Sequence, residues 1–389
     1  MKTKNVLFYA VNGLGMGHLT RLLSIARKMV EKDESINPIF ITTSEACEVL
    51  YKHNIMYYKL PSKSYLKLNK KIRRRDLQMM YNTTVMNLVN TYNPIALIVD
   101  TFPTGSLDDL LGVLSMKSPM KKIFIHREQK KMSNNQIMLQ NFYDLIITPH
   151  MKDTTVIPVP RGKPLDWVGN IMVRSKDETF TKEEVIKKLK LPTDKKIVLL
   201  NLGGGGDLTT ITEYKIIIDK LGHRKDLFFI VPEAPLKKFE LELADNMMSI
   251  SYYPLIEIMN VFDAAISATG YNTFHELNYM GVPTIFIPKL RGLDDQESRA
   301  RSIDNKSGFC ILETELEADL ETKFQLLLDN RDSFSQYGQN LVTFNGAERA
   351  ADSVLNLISP QCNNILVQGS FDRLDSEEEI LSISRSSLG

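Results

Sequence analysis

The residues able to do chemistry gather on two glycine turns. The first is Val11-Asn12-Gly13-Leu14-Gly15-Met16-Gly17-His18-Leu19-Thr20-Arg21, three glycines at alternate positions followed at once by an imidazole. Glycines let a ligand approach bare backbone, and the helix that follows presents unpaired N–H groups. An imidazole at such a mouth can take a proton near neutral pH, so His18 is a candidate general base, with a packing or capping role as the unreactive alternative. Arg21, three residues on, shares its helix face and is either an anion contact or a solvated arginine. The second turn is Ser267-Ala268-Thr269-Gly270-Tyr271-Asn272-Thr273-Phe274-His275-Glu276-Leu277, followed by Gly281-Val282-Pro283, Ile287-Pro288 and Asp294-Asp295-Gln296. It too opens a helix and offers an anion site at Thr269, Gly270, Tyr271, Asn272 and Thr273. A third loop, Gly203-Gly204-Gly205-Gly206-Asp207, adds enough backbone N–H groups for a diphosphate.

Several chemistries are disfavoured by the letters themselves. A dinucleotide fingerprint needs Gly-x-Gly-x-x-Gly and an acid closing the next strand, but His18 occupies the last glycine position and residues 38–42 lead into Thr43-Ser44. No Gly-Lys-Ser/Thr of a phosphate-binding P-loop follows either glycine run. No Asp-x-Asp suggests a metal-held diphosphate, so the reading calls for neither metal nor cofactor. Cys47, Cys310 and Cys362 are widely spaced, which points to a reducing, cytoplasmic compartment rather than a disulfide framework or zinc site. With 48 lysines and arginines against 47 acids, no overall charge draws the chain to nucleic acid. No apolar run is long enough to span a bilayer.

The elements that must position these residues alternate. Strand-like runs at 5–10, 38–42, 55–60, 95–100, 122–126 and 144–148 are separated by helical periodicity, and a second series follows at 196–202, 226–231, 248–252, 263–267 and 283–288. That alternation predicts two α/β doubly wound domains facing across a cleft, with function at the carboxyl ends of the strands. Prolines around 157–164 mark the break, giving a first domain over 1–163 and a second over 164–345. The chain reads as helical from 332 to 358, with 346–359 placed as a closing helix that could cross back to the first domain. Residues 360–389 form a peripheral, acidic and serine-rich tail with the composition of a disordered segment.

Taken together, Gly-x-Gly-x-Gly-His-x-x-Arg, a glycine-rich loop opening the second domain, and Gly-(x)5-Glu-(x)4-Gly-Val-Pro with Ile-Pro and Asp-Gln resemble the MurG-like, family 28 nucleotide-sugar glycosyltransferases of the GT-B fold. The likeness runs from about Lys4 to Ile358 and extends to UDP-sugar hydrolases of pseudaminic acid synthesis. It implies two Rossmann-like domains, a UDP-sugar donor held mostly by the second, a hydroxyl acceptor held mostly by the first, inversion at the sugar, and no metal. Carried over, Gly15, Gly17, Gly204, Gly205 and the turn 269–273 face the donor, Glu276 holds the ribose hydroxyls, Asp295 and Gln296 read the sugar, and His18 is the base. Thr273-x-x-Glu276 also has the spacing of a helix capping box, so Glu276 has a structural alternative.

Three features remain. Lys67, Lys70, Lys71, Arg73, Arg74 and Arg75 lead into a Met-rich amphipathic helix, giving either a peripheral membrane or anionic-acceptor contact through 67–75, or a solvated face. Arg127, beside His126, ends a strand on the cleft side as an acceptor contact, with Lys130 and Lys131 behind it. Asp100 closes another strand there and is placed with Arg21 and Arg127 on the acceptor, or orients His18 or the glycine loop, or only caps the next segment. The expected activity is glycosyl transfer from a nucleotide-sugar to a hydroxyl acceptor, which could be anionic or lipid-linked. The rivals are a nucleotide-sugar hydrolase on the same scaffold and a non-catalytic nucleotide-sugar sensor.

Overall fold

The structure is a computed structural model that describes residues 3–12, 16–62, 72–130, 132–152, 154–203, 208–233, 242–290 and 294–359. Two parallel sheets are present, each wound in the Rossmann order. In the first, β1 (Lys4–Ala10), β2 (Ile36–Thr42), β3 (Met56–Lys59), β4 (Ala96–Asp100), β5 (Lys121–Ile125), β6 (Leu145–Thr148) and β7 (Leu165–Trp167) lie as β3-β2-β1-β4-β5-β6-β7. In the second, β8 (Lys196–Asn201), β9 (Leu227–Pro232), β10 (Met247–Ile250), β11 (Ala264–Ala268), β12 (Thr284–Ile287) and β13 (Gly308–Cys310) lie as β10-β9-β8-β11-β12-β13. The central strands are apolar on both faces, as strands covered by helices on either side must be: Val6 to Ala10 in β1 and all of β4 and β11 are buried.

The order decides where function can sit. Strand order reverses between β1 and β4, and again between β8 and β11, opening a crevice beyond the carboxyl ends of each pair. Into the first crevice runs α1 (Gly17–Lys32), whose Leu19, Leu22, Leu23, Ala26 and Met29 pack inward at helical spacing. Beside the second runs α8 (Tyr271–Met280), which carries the second motif; between α1 and α8 in chain order come α2 (Glu48–Lys52), α3 (Arg74–Tyr92), α4 (Leu111–Ser115) and α5 (Asn134–Leu139) with the first sheet, then α6 (Lys182–Leu189) and α7 (Leu208–Leu221) with the second. They are completed by α9 (Gln296–Arg301), α10 (Leu316–Asp329), α11 (Arg331–Leu341) and α12 (Ala347–Ile358).

Two boundaries differ from the sequence reading. The first sheet continues past residue 163, because Leu165, Asp166 and Trp167 pair with Ile146, Ile147 and Thr148 as its edge strand. A three-residue strand carries too little pattern to be seen among prolines. The helical stretch from 332 to 358 is two helices, broken at 342–346, and the second crosses to the first sheet, where Ala347, Ala350, Ala351 and Val354 join the core that contains Leu22 and Ala26. Lys32 of α1 and Asp352 of α12 pair at 2.7 Å on the rim of that contact.

Gly346 makes the crossing possible. Its N–H donates to the Asn170 carbonyl at 2.7 Å, and a Cβ would stand 2.5 Å from the Gly169 oxygen and 2.6 Å from that of Val168. Those are backbone atoms and have no rotamer to yield. Gly346→Ala is therefore expected to destabilise the protein by about 1–3 kcal/mol, the usual effect of overpacking, read as a lower midpoint in thermal unfolding.

Candidate active site

His18 is the second residue of α1 and Asp100 the last of β4, so the reversal between β1 and β4 sets them side by side. His18 Nδ1 lies 3.0 Å from Asp100 Oδ2. Arg21 Nη1 donates to both Asp100 oxygens, at 2.9 and 2.7 Å, and the Thr101 hydroxyl donates to Oδ1 at 2.9 Å. Burial alone would raise the Asp100 pKa, yet Arg21 and His18 hold it below the ordinary carboxylate value. An ionised carboxylate only accepts, so His18 Nδ1 carries the proton and Nε2 keeps its lone pair. Burial lowers the His18 pKa from 6.5, outweighing the upward pull of Asp100, with Arg21 and Arg127 lowering it further. The imidazole is neutral at pH 7 and oriented, a combination suited to accepting a proton. Thr101, just beyond Asp100, has φ of 67°, an uncommon conformation for a β-branched residue that turns the chain away directly behind the carboxylate.

Arg21 was expected to meet an acceptor, and Asp100 either to meet one or to orient His18. They are 1% and 0% exposed and hydrogen-bonded to each other, so they have no surface for one and stand behind His18 instead. The sequence placed Arg21 on the right helix face but could not show that a carboxylate from β4 would be there to bury it.

The second crevice holds a cleft of about 150 Å³ lined by residues from four segments, among them Asn201 at the end of β8 and Gly203 just beyond it, Gly270 and Thr273 at the start of α8, and Gln296 and Lys289 beyond β12. Gly270 is the N-cap of α8 and no side chain caps that end. Its first N–H groups are thus open to an anion. Glu276 falls in the middle of α8, not at N3, so the capping-box alternative is corrected: the helix begins at Tyr271, ahead of Thr273. The Glu276 carboxyl is buried, and that burial pushes its pKa up to about 7.

Other motif residues knit the two halves together. Tyr271, expected to face a diphosphate, is buried: its hydroxyl donates to the Pro149 carbonyl and accepts from Asn170 Nδ2 at 3.2 Å. Its ring is surrounded by the guanidinium groups of Arg21, Arg127 and Arg299 at 5.1, 5.5 and 5.4 Å. Asn272 Nδ2 reaches the Gly17 carbonyl at 3.4 Å, joining the two glycine turns. Thr269 Oγ1 is buried without a hydrogen-bond partner among the described residues, while its carbonyl accepts from Arg299 at 2.8 Å. Arg127 donates to Asp294 at 3.2 Å, and Arg299 donates to the same oxygen at 2.6 Å. Asp295 caps α9 by accepting from the Ser298 N–H at 3.2 Å, and Gln296 Oε1 accepts from the Lys289 N–H at 3.0 Å. Gly15, Gly204 and Gly205, with Lys67, Lys70, Lys71 and the tail after Ser359, lie outside the described residues.

Arg299, Lys289 and Glu213 were not singled out from the sequence, and Asp294 was quoted in the second motif but given no role. A basic residue straight after Ile287-Pro288 was the available signal for Lys289. Among the described residues, no group of three or more His, Cys, Asp or Glu side chains could hold a metal ion. No described helix is long and apolar enough to cross a membrane.

With this geometry in view, comparison with known proteins gives a consistent result. Residues 211–353 match the glycosyltransferase family 28 C-terminal domain. The chain is 23% identical over 319 residues to the UDP-N-acetylglucosamine--N-acetylmuramyl-(pentapeptide) pyrophosphoryl-undecaprenol N-acetylglucosamine transferase of Desulforamulus reducens, covering 76% of this chain and 82% of that protein. It is 22% identical over 366 residues to the processive diacylglycerol beta-glucosyltransferase of Bacillus licheniformis, covering 84% and 88%. Among solved structures, Acinetobacter baumannii MurG aligns with a TM-score of 0.54 at 14% identity, over 92% of this chain and 99% of that one. The glycosyltransferase SnogD of Streptomyces nogalater aligns with a TM-score of 0.63 at 12% identity, over 92% and 100%. The fold and the matches define a glycosyltransferase of the GT-B fold. Within that class the chain resembles the MurG-like glycosyltransferases of family 28, whose C-terminal domain its residues 211–353 match.

Proposed function

We propose that this enzyme transfers a sugar from a UDP-sugar to a hydroxyl of a lipid-linked acceptor, with inversion and without a metal, and that His18 is the general base. The observation that carries this reading is the chain Arg21–Asp100–His18, which fixes a neutral imidazole whose Nε2 keeps its lone pair at the mouth of the first crevice. In it, Asp100 and Arg21 are positioning residues: they hold the tautomer and orientation of the base. The donor lies over the N-terminus of α8, its ribose hydroxyls donating to Glu276, its sugar against Gln296 and Asp295, and its diphosphate against the open N–H groups at Gly270 and the bare backbone at Gly17. The relatives named above support a UDP donor and an acceptor carried on a lipid. So do Met79 and Met80, exposed on α3 behind Arg73, Arg74 and Arg75. Arg127, tied to Asp294 at the boundary of the two halves, is placed to meet the acceptor when that pair opens.

A thermal-shift panel of UDP, dTDP, GDP, ADP, NAD and ATP, with and without EDTA, tests the donor. UDP is expected to raise the unfolding midpoint selectively, and EDTA to leave that rise unchanged. The affinity should carry a pH signature. The carboxylate form of Glu276 accepts from ribose hydroxyls more strongly than the acid form, and its pKa without ligand is about 7. Binding therefore strengthens as pH rises through 7 and weakens below it by up to about tenfold per unit, and Glu276→Gln flattens the profile. A pH-independent affinity in the wild type would remove Glu276 from the ribose. Release of free sugar from the donor at turnover rates, without acceptor, would favour the hydrolase reading instead.

A further inference from the structure

One charged pair at the donor cleft has no part in the scheme above. Lys289 stands two residues beyond β12 and lines the cleft together with Gly270 and Thr273. Its ammonium pairs with the carboxylate of Glu213 from α7, and both side chains are almost wholly buried, at 6% and 1% exposure. Its backbone N–H is fixed by Gln296. The named lining residues are otherwise uncharged: Asn201, Leu202, Gly203, Ala268, Gly270, Thr273 and Gln296. Removing an ammonium from water is unfavourable, and its pairing with a carboxylate offsets that only in part.

We propose that Lys289, held in place by Glu213, contacts the donor diphosphate and stabilises it as it leaves. This rests on the donor reading above and adds a residue to it. An ammonium has three N–H donors, so it can keep Glu213 and still donate to a phosphate oxygen. The cleft is small, and an anion seated on the N-terminus of α8 at Gly270 and Thr273 shares it with Lys289. In the transfer, the bond between the anomeric carbon and the β-phosphate oxygen breaks and its electron pair stays on that oxygen. The acceptor oxygen bonds the anomeric carbon, and its proton passes to His18 Nε2. The departing diphosphate gains one negative charge, and Lys289 is the cation already beside it, so its stabilisation grows along the reaction. Sugar hydroxyls, being neutral, gain much less from a buried ammonium than a diphosphate does.

Calorimetric titration of inorganic pyrophosphate into the full-length protein tests this without assuming a nucleobase. Wild-type protein is expected to bind, and Lys289→Met to bind about ten- to hundredfold more weakly, the usual loss for a hydrogen bond between charged partners. Lys289→Arg should recover part of the affinity. Affinity for uridine, which has no phosphate, should stay unchanged in all three. Because Lys289→Met leaves Glu213 buried without its cation, the Glu213→Gln/Lys289→Met double variant is measured beside it. A loss that persists in the double variant supports the contact. Recovery of pyrophosphate binding in the double variant would assign the loss to repulsion by Glu213 and overturn the proposal. Unaltered binding in Lys289→Met would overturn it too, while leaving the donor site in place. Failure of the wild type to bind pyrophosphate or UDP at all would remove both the donor reading and this inference.

Discussion

His18→Ala is expected to lower kcat by about 10²- to 10⁴-fold, the range usual for loss of a general base, while UDP affinity changes little. The separation follows from the architecture: His18 stands on the first sheet's crevice, and the proposed donor contacts stand on the second. The base must be neutral to act, and burial lowers its pKa from 6.5. The acid limb of kcat should therefore fall below pH 6.5, with activity constant above it until another group intervenes. Asp100 raises the His18 pKa, so Asp100→Asn should move that limb to still lower pH as well as slow turnover. Asp100→Asn also strands the buried Arg21, an effect of about 3–5 kcal/mol on stability, so its kinetics are to be measured below its own unfolding midpoint. Steady-state transfer assays across pH read both effects. A His18→Ala enzyme within about threefold of wild type would end the assignment.

The second large effect is expected at Gly270. Its φ is −61°, which any residue adopts, and a Cβ built there meets no atom within 4 Å. The fold does not need glycine at this position. The added methyl would instead point into open space beside the N-terminus of α8, in the cleft where the diphosphate is proposed to sit. Gly270→Ala should thus leave the unfolding midpoint of the free protein unchanged and weaken UDP by about tenfold or more, with Gly270→Val weaker still. Gly346→Ala is the contrast, because there the methyl meets backbone oxygens and stability suffers. If Gly270→Ala bound UDP as tightly as wild type, the diphosphate would have to lie elsewhere.

Local pattern determined a great deal about this protein. The uninterrupted apolar runs that become β1, β4, β8 and β11 could bury both faces only in a parallel sheet covered by helices, so the α/β class followed from residue type and period. The glycine turns before α1 and α8 announced where ligand-facing backbone would be, because glycine and a fresh helix N-terminus are properties of a few consecutive residues. His18 and Glu276 were visible for the same reason. What only the tertiary structure decided is which side chains meet. Asp100 is 82 residues from His18 and 79 from Arg21, and only the strand order, placing β4 beside β1, makes it their partner. That meeting turned Arg21 from an expected acceptor contact into a buried support for His18, and decided among the roles open to Asp100. Tyr271, apparently part of a phosphate turn, became a joint between the halves because Pro149 and Asn170 arrive from the other side. Lys289 became notable only when Glu213 and Gly270 were found beside it. Periodicity and turn chemistry act over a few neighbours, whereas partnership across a sheet depends on how loops of tens of residues close, and no short pattern encodes that.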